Sequence, residues 1–185
     1  MIELKTPTLA LLPHYVAALE QGWSSDNLRG RVAAEEQRAS IASDAAAFIA
    51  RQTDPEAKGL PVTLPDGSKV ERIPGRIFWL WDGAFCGSLG LRWQKGTAAL
   101  PAHVLGHVGY AVVPWKQRQG AATAALGGVL PHARALGLPY IEVTTDPDNL
   151  ASRKVITANG GMLIESFTKP AAFGGAPGLR YRIPL

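Results

Sequence analysis

Cysteine is almost absent from this sequence, which has a single one, Cys86, among 185 residues. One cysteine excludes a disulfide within the chain and a metal site made of several thiolates. Cys86 stands between Phe85 and Gly87 in an apolar stretch, with no obvious base beside it. We therefore interpret it as a small buried hydrophobic residue rather than a nucleophile, and we expect no metal in this protein.

Long hydrophobic runs are missing as well. No segment approaches the roughly 20 apolar residues of a membrane span. Pro7, Pro13 and His14 interrupt the N-terminal apolar region, where a signal peptide needs continuity. We therefore expect a cytoplasmic protein with no membrane partner.

Charge is also sparse. Charged residues make up 18% of the sequence and hydrophobic residues 46%, as in an ordinary globular core, and the length suits one domain spanning residues 1–185. The formal net charge of +4 is spread along the chain without a basic run. A small ligand with several phosphates would account for this mild excess as well as nucleic acid would, so no nucleic-acid partner is expected.

The segment from Gly106 to Ala125, GHVGYAVVPWKQRQGAATAA, predicts a buried strand that runs into the start of a helix. Tyr110 to Val113 supply the strand, and Pro114 ends it because proline has no N–H to donate. Good helix formers begin at Ala121, after Gly120, which has no β-carbon to block a close approach. Such a junction directs unpaired backbone N–H groups at one point, where the helix dipole favours negative charge. The segment therefore predicts a phosphate site.

The spacing of Gln117-Arg118-Gln119-Gly120-Ala121-Ala122 resembles the Gln/Arg-x-x-Gly-x-Gly/Ala signature of the GCN5-related N-acetyltransferase (GNAT) superfamily. In that superfamily the signature holds the pyrophosphate of acetyl coenzyme A (acetyl-CoA). Further along, TTDPDNLASRKVITANGG resembles the superfamily's second cofactor-binding segment. Together with VERIPGRIFWL, GHVGY and LRYRIPL, the pattern is similar to one bacterial branch of predicted acetyltransferases, from about Glu71 to the C-terminus.

Hydrophobic periodicity and turn residues predict the order of the elements. Strands are predicted at Ile2–Lys5, at Arg76–Trp93 as a hairpin about Asp82-Gly83, and at His107–Val113, Tyr140–Thr145, Met162–Phe167 and Leu179–Ile183. Helices are predicted at Pro13–Gln21, Ala33–Arg51, Gln119–Leu136 and Leu150–Ala158. This order indicates an α+β domain. The resemblance implies the GNAT fold, a mixed central sheet of about seven strands flanked by helices, whose fourth and fifth strands splay apart.

The resemblance also implies where the cofactor binds. The splayed strands map to His107–Val113 and Tyr140–Thr145, and the pantetheine arm lies in the gap between them. Backbone N–H groups of Ala111, Val112 and Val113 would bind this arm and polarise the thioester carbonyl. The pyrophosphate would lie on Gln117, Arg118, Gln119, Gly120, Ala121 and Ala122.

Two further cofactor-binding residues are implied at the start of the helix that follows the second strand. Asn149 and Ser152 are three residues apart and lie on one helix face. The resemblance assigns Asn149 to the pantetheine arm, directly or through water. Asp148 or Asn149 would also make a good helix N-cap, so both interpretations stay open. Arg118 likewise either contacts the pyrophosphate or is a solvated arginine.

Transfer to an amine requires that the ammonium group lose a proton before it attacks. His107 is the first candidate base, because it stands where many relatives carry a glutamate and because imidazole titrates near neutral pH. A histidine hydrogen-bonded at a strand end is the alternative. Glu142 is the second candidate, with a paired surface carboxylate as its alternative.

The proton donor to the leaving thiolate is not evident. Many relatives place a tyrosine seven residues after the asparagine, where this chain has Ile156. Tyr181, Tyr110 or Ser152 could replace it, and water could suffice because the pKa of a thiol is only about 8.5.

The resemblance implies an N-acetyltransferase that moves an acetyl group from acetyl-CoA to the primary amine of a small molecule or peptide, by direct attack in a ternary complex. Two alternatives remain. One is an acyl-CoA-binding protein of the same fold with weak or no catalysis, which the missing tyrosine favours. The other is a basic interaction module without a cofactor. The sequence leaves open the acceptor and whether the chain forms a homodimer.

Overall fold

The computed structural model describes all 185 residues. The strands are β1 (Glu3–Lys5), β2 (Thr53–Asp54), β3 (Val62–Thr63), β4 (Lys69–Val70), β5 (Gly75–Trp81), β6 (Phe85–Arg92), β7 (Val108–Val112), β8 (Tyr140–Thr145), β9 (Met162–Thr168) and β10 (Pro177–Pro184). The α-helices are α1 (Leu12–Glu20), α2 (Gly30–Ser43), α3 (Ala45–Ala50), α4 (Ala121–Ala135) and α5 (Leu150–Ala158). Short 3-10 helices cover Pro114–Lys116 and Ala171–Phe173.

The strands form two main sheets and one small hairpin. The first sheet has the order β1-β5-β6-β7, with β2 also paired to β5, and the second has the order β8-β10-β9. Strands β3 and β4 pair only with each other. Every ladder is antiparallel. The α+β class is confirmed, but the strands number ten and are divided between sheets instead of forming one mixed sheet of about seven.

The division falls between β7 and β8, which share no ladder. They meet at one point, where His107, just before β7, donates its backbone N–H to the carbonyl oxygen of Glu142 at 2.7 Å. Gly106 lies so close to β8 here that a β-carbon would be 2.9 Å from the same oxygen. The predicted separation of these two strands is therefore present.

Different helices cover the two faces of the first sheet. Phe78 and Leu80 of β5 pack in one core cluster with Leu126 of α4 and Ile156 of α5. Trp79, which lies between them in the sequence, points to the opposite face because side chains alternate along a strand. It stacks on Tyr15 of α1, with the ring centroids 4.9 Å apart. The edge strand β7 thus has α4 and α5 on one side and α1 and α2 on the other.

One predicted helix is divided. The sequence pattern predicted a single helix over 33–51, whereas α2 ends at Ser43 and α3 begins at Ala45. Asp44 between them has an extended backbone, with φ −158° and ψ 94°, and its carboxylate accepts a hydrogen bond from the N–H of Ala47. The cause is a helix cap, which apolar periodicity does not register.

The other predicted elements agree closely with the structure. The hairpin of β5 and β6 turns at Asp82-Gly83, where Gly83 has a φ of +107°. Both Tyr140–Thr145 and Leu150–Ala158 have the predicted bounds. No helix combines the length and the apolar character needed to cross a membrane.

Candidate active site

The loop from β7 to α4 presents a row of backbone donors. The N–H groups of the six consecutive residues from Arg118 to Thr123 make no hydrogen bond within the chain. Two left-handed residues turn the backbone here, Arg118 with φ +58° and Gly120 with φ +80°. Gly120 is the N-cap of α4, and no side chain caps this helix. Free donors and the positive end of the helix dipole therefore coincide.

Side chains brace this loop from behind. Gln117 donates through Nε2 to the carbonyl oxygen of Val112 at 3.3 Å, and Gln119 donates to that of Trp115 at 3.2 Å. The side chain of Arg118 is exposed and makes no hydrogen bond or ion pair. Two of the six predicted pyrophosphate residues thus use their side chains to hold the loop itself, while backbone groups face outward.

A cavity of 220 Å³ adjoins the free donors. It is lined by Met1, Ile2, Asp82, Lys116, Gln119, Gly120, Ala121 and Ala124. Lys116 and Asp82 form an ion pair in this lining, with Nζ of Lys116 2.7 Å from Oδ2 of Asp82. The hydrogen bond to Asp82 raises the pKa of Lys116, so the ammonium stays charged.

The edge of β7 that faces the gap carries the next set of donors. Val113 donates its N–H to the carbonyl oxygen of Cys86 in β6, at 3.0 Å. Because the hydrogen-bonding direction alternates along an antiparallel strand, Ala111 also faces β6, opposite Ser88, whereas Val112 and Tyr110 face away from it.

This alternation corrects one prediction. Of Ala111, Val112 and Val113, only Val112 presents its N–H to the gap, and Tyr110 presents the other. The carbonyl oxygens beside these donors already have partners, since Asn27 donates to Tyr110 at 2.9 Å and Gln117 donates to Val112. The alternation of a paired strand was the signal that could have singled out Tyr110 from the sequence.

Two hydroxyl groups meet across the gap. The phenol oxygen of Tyr110 lies 2.8 Å from Oγ of Ser152 in the first turn of α5. Burial raises the pKa of Tyr110, and the hydrogen bond with Ser152 opposes that shift. Asn149 caps α5, because its Oδ1 accepts the N–H of Ser152 at 3.0 Å. The capping interpretation of Asn149 is therefore present in the structure, and its side chain helps to place Ser152.

His107 does not lie in the gap. Its side chain is completely buried, and its Nδ1 accepts the backbone N–H of Glu142 at 2.9 Å. Burial lowers the pKa of His107, and the cations of Arg92 and Arg180 lower it further, against the opposing influence of Glu142. A neutral imidazole whose lone pair is already used, and which solvent does not reach, is poorly placed to deprotonate an amine. The structure favours the alternative of a hydrogen-bonded histidine at the strand end.

Glu142 and Tyr181 are engaged elsewhere. The carboxylate of Glu142 accepts from Arg180 at 2.9 Å and from Arg182 at 2.6 Å. Burial raises the pKa of Glu142, but the hydrogen bonds and charges of the two arginines outweigh it, so the pKa lies below its ordinary value. Tyr181 is buried in the core, where its hydroxyl accepts from Nε of Arg153 at 3.2 Å. Neither side chain joins the predicted catalytic group at the gap, because each has a structural partner.

One family of known proteins matches the part of the chain that contains this site. The family model for the acetyltransferase (GNAT) domain matches residues 36–162, more than half of the chain. The protein belongs to the GNAT acetyltransferase family. No curated protein sequence matches it significantly.

Solved structures share the GNAT fold. The microcin C7 self-immunity acetyltransferase MccE, in complex with acetyl-CoA and AMP, is 14% identical, with a TM-score of 0.65 over 100% of this chain and 92% of that one. The ribosomal L7/L12 alpha-N-protein acetyltransferase RimL, in complex with coenzyme A, is 15% identical, with a TM-score of 0.67 over 100% and 94%. RimJ of Mycobacterium smegmatis, in complex with a coenzyme A disulfide, is 21% identical, with a TM-score of 0.63 over 99% and 81%.

The predicted superfamily and fold are confirmed by these findings. As a GNAT acetyltransferase, the protein is an acyltransferase whose cosubstrate is acetyl-CoA. Its structure brings together no group of three or more His, Cys, Asp or Glu side chains that could hold a metal ion. The free donors before α4, the open edge of β7 and the start of α5 are thus the candidate active site of this GNAT enzyme.

Proposed function

We propose that this GNAT enzyme is a single-domain N-acetyltransferase that transfers the acetyl group of acetyl-CoA to a primary amine by direct attack in a ternary complex. The observation that carries the proposal is the continuity of donors from the α4 N-terminus along the open edge of β7. One extended ligand with phosphates at one end and amides along its arm would satisfy both sets.

The pyrophosphate lies on the six free N–H groups from Arg118 to Thr123. Gly120, Ala121 and Ala122 contribute backbone donors, and the exposed guanidinium of Arg118 adds a charge-assisted contact. Gln117 and Gln119 keep the loop in shape through their hydrogen bonds to backbone carbonyls.

The pantetheine arm runs from this cradle into the gap, along Val112 and then Tyr110. The N–H of Tyr110 polarises the thioester carbonyl, as an oxyanion-hole donor does in acyl transfer. The neighbouring Asn27 side chain holds the carbonyl of the same residue at 2.9 Å, which fixes the plane of the strand edge.

The amine nitrogen attacks the thioester carbon, the C–S bond breaks, and the thiolate leaves. The hydroxyl of Ser152, hydrogen-bonded to that of Tyr110, relays a proton from solvent to the departing thiolate. Strong acid catalysis is not needed, because a thiol pKa of about 8.5 makes the thiolate a tolerable leaving group before it is protonated. Ser152 and Tyr110 would thus replace the proton-donating tyrosine that many relatives have at the position of Ile156.

The proton of the attacking ammonium goes to water. His107 and Glu142 were the predicted bases, but the first is buried with its Nδ1 occupied and the second is paired with two arginines. In this proposal both hold the junction of β7 and β8 together. The amine acceptor has parallels in the fold, since RimL is named as an alpha-N-protein acetyltransferase.

A thiol-release assay tests the proposal. The protein is incubated with acetyl-CoA and separate panels of polyamines, aminoglycosides, amino acids and peptides, and free coenzyme A is measured. We expect release that depends on the amine. Binding of acetyl-CoA without amine-dependent release would favour the alternative of an inactive acyl-CoA-binding protein, and no binding at all would favour an interaction module.

A further inference from the structure

Arg92, at the end of β6, places its guanidinium over a pair of glycines in the first sheet. Gly90 and Gly109 are direct cross-strand partners. Nη2 of Arg92 would lie 2.9 Å from a β-carbon built on Gly109 and 3.9 Å from one built on Gly90. The absence of both side chains thus makes the room in which the guanidinium lies.

This guanidinium has no partner in the protein. Arg92 makes no ion pair, whereas Arg180 and Arg182 both bind Glu142. Burial lowers the pKa of Arg92, and the carboxylate of Asp26 opposes that shift from outside ion-pair distance. Oδ1 of Asp26 is occupied by the N–H groups of the residues that follow it in the chain, Leu28 and Arg29. A guanidinium kept half-buried without a counterion costs stability, and an anionic ligand would remove that cost.

The position of Arg92 relates it to the candidate active site. Gly109 immediately precedes Tyr110, whose N–H lies on the open edge of β7, and successive strand residues are only about 3.3 Å apart. The guanidinium lies on the sheet face covered by α1 and α2. Ala111 is two residues beyond Gly109, so it lies on this same face, where it packs in the core cluster with residues of both helices. Ser152 approaches Tyr110 from the opposite face. An acceptor that enters on the Arg92 side therefore meets the thioester from the side away from the proton donor.

We propose that Arg92 binds a carboxylate of the acceptor, so that the acceptor is an amino acid whose amine and carboxylate are a few bonds apart. The proposal rests on the proposed acetyl transfer. The planar guanidinium offers two parallel N–H donors that match a carboxylate. With the carboxylate held over Gly90 and Gly109, the amine is directed to the neighbouring thioester at Tyr110. The carboxylate stays ionised and is unchanged in the product.

Bisubstrate analogues test this proposal with defined probes. The sulfur of coenzyme A is joined through a thioether to the acetyl methyl carbon of acetylglycine or of acetylglycinamide, which gives CoA–S–CH2–CO–NH–CH2 ending in a carboxylate or an amide. The β-alanine and 4-aminobutyrate pairs are made in the same way. Each carboxylate is compared with its amide by calorimetric titration. We expect the original protein to bind at least one carboxylate form about tenfold more tightly than its amide. In Arg92→Gln the two forms should bind equally.

Two further variants separate binding from folding. Gly109→Ala should displace only the flexible end of Arg92 and reduce the preference for the carboxylate, while Arg92→Lys should retain part of it. Arg31→Gln, on an arginine whose side chain is 91% exposed, is the matched control and should retain all of it. Thermal stabilisation by acetyl-CoA is measured on every variant.

The outcomes distinguish the two proposals. If acetyl-CoA still stabilises the protein but no carboxylate is preferred to its amide, the inference about Arg92 is wrong and the proposed acetyl transfer stands. A preference that survives in Arg92→Gln also overturns it. If neither acetyl-CoA nor any analogue binds, the proposed function itself fails.

Discussion

The pyrophosphate cradle can be tested by a single change at Gly120. Acetyl-CoA should bind the native protein and not the unfolded chain, so at a hundredfold excess over its Kd we expect it to stabilise the fold by about 2.7 kcal/mol. For a chain of this length one kcal/mol moves Tm by roughly 2–4 °C, which gives an expected shift of about 5–11 °C. Gly120→Glu should abolish this shift, because a carboxylate would stand among the donors that receive the phosphates.

The substitution has a second effect, which a control must match. Gly120 has φ +80° and ψ 0°, and a left-handed backbone costs a residue other than glycine roughly 1–2 kcal/mol. Gly137, just beyond the other end of α4, has φ +76°, and a β-carbon there would also meet nothing within 4 Å. Gly137→Glu should therefore lower the Tm of the free protein similarly and still respond fully to acetyl-CoA.

The assay is differential scanning fluorimetry or calorimetry with and without acetyl-CoA, and the ligand-induced shift is compared, not Tm itself. If Gly120→Glu and Gly137→Glu show the same shift as the original protein, the free N–H groups before α4 do not hold the phosphates. The assignment of the whole cofactor path would then fail with them.

Three further predictions concern the gap and its surroundings. Ser152→Ala should lower kcat by roughly 10–100-fold with little change in the Kd for acetyl-CoA, and an unchanged kcat would leave the thiolate to water. His107→Asn should keep the shape of the pH–rate profile. Because the folded pKa of His107 is depressed, the original protein should lose stability as pH falls below the unfolded value of about 6.5, by at most about 1.4 kcal/mol per pH unit; urea midpoints at several pH values should show a smaller loss in the variant. Val112→Pro should fold and bind acetyl-CoA more weakly, because only an open N–H is removed, whereas Val113→Pro should unfold in urea much more readily, since it breaks the bond to Cys86.

Local signals in the sequence carried much of the structure. The turn at Asp82-Gly83 and the bounds of α5 depend on residues within a few positions of one another, where turn and capping chemistry decide the conformation. The cradle before α4 is of the same kind, because proline, glycine and helix formers in that order produce free N–H groups wherever the segment lies. The one local error was the single helix predicted over 33–51. Apolar periodicity continues through Asp44, but the side chain of Asp44 caps a new helix there and divides the segment.

Partners that are distant in the sequence decided the rest. His107 and Glu142 have the side chains of catalytic bases, but burial and two arginines from β10 give them structural roles. Arg92 had no signal in the sequence at all. Its significance comes from the cross-strand register that brings two glycines beneath it and from the lack of a carboxylate at ion-pair distance.

The sequence by itself determined the superfamily, the order of most elements and the place of the free N–H groups before α4, because each depends on short motifs whose backbone preferences are local. The tertiary structure alone decided which edge of β7 is open, which titratable groups reach the gap and which charge is left without a partner. These properties depend on burial and strand register, and both arise only when distant segments pack together.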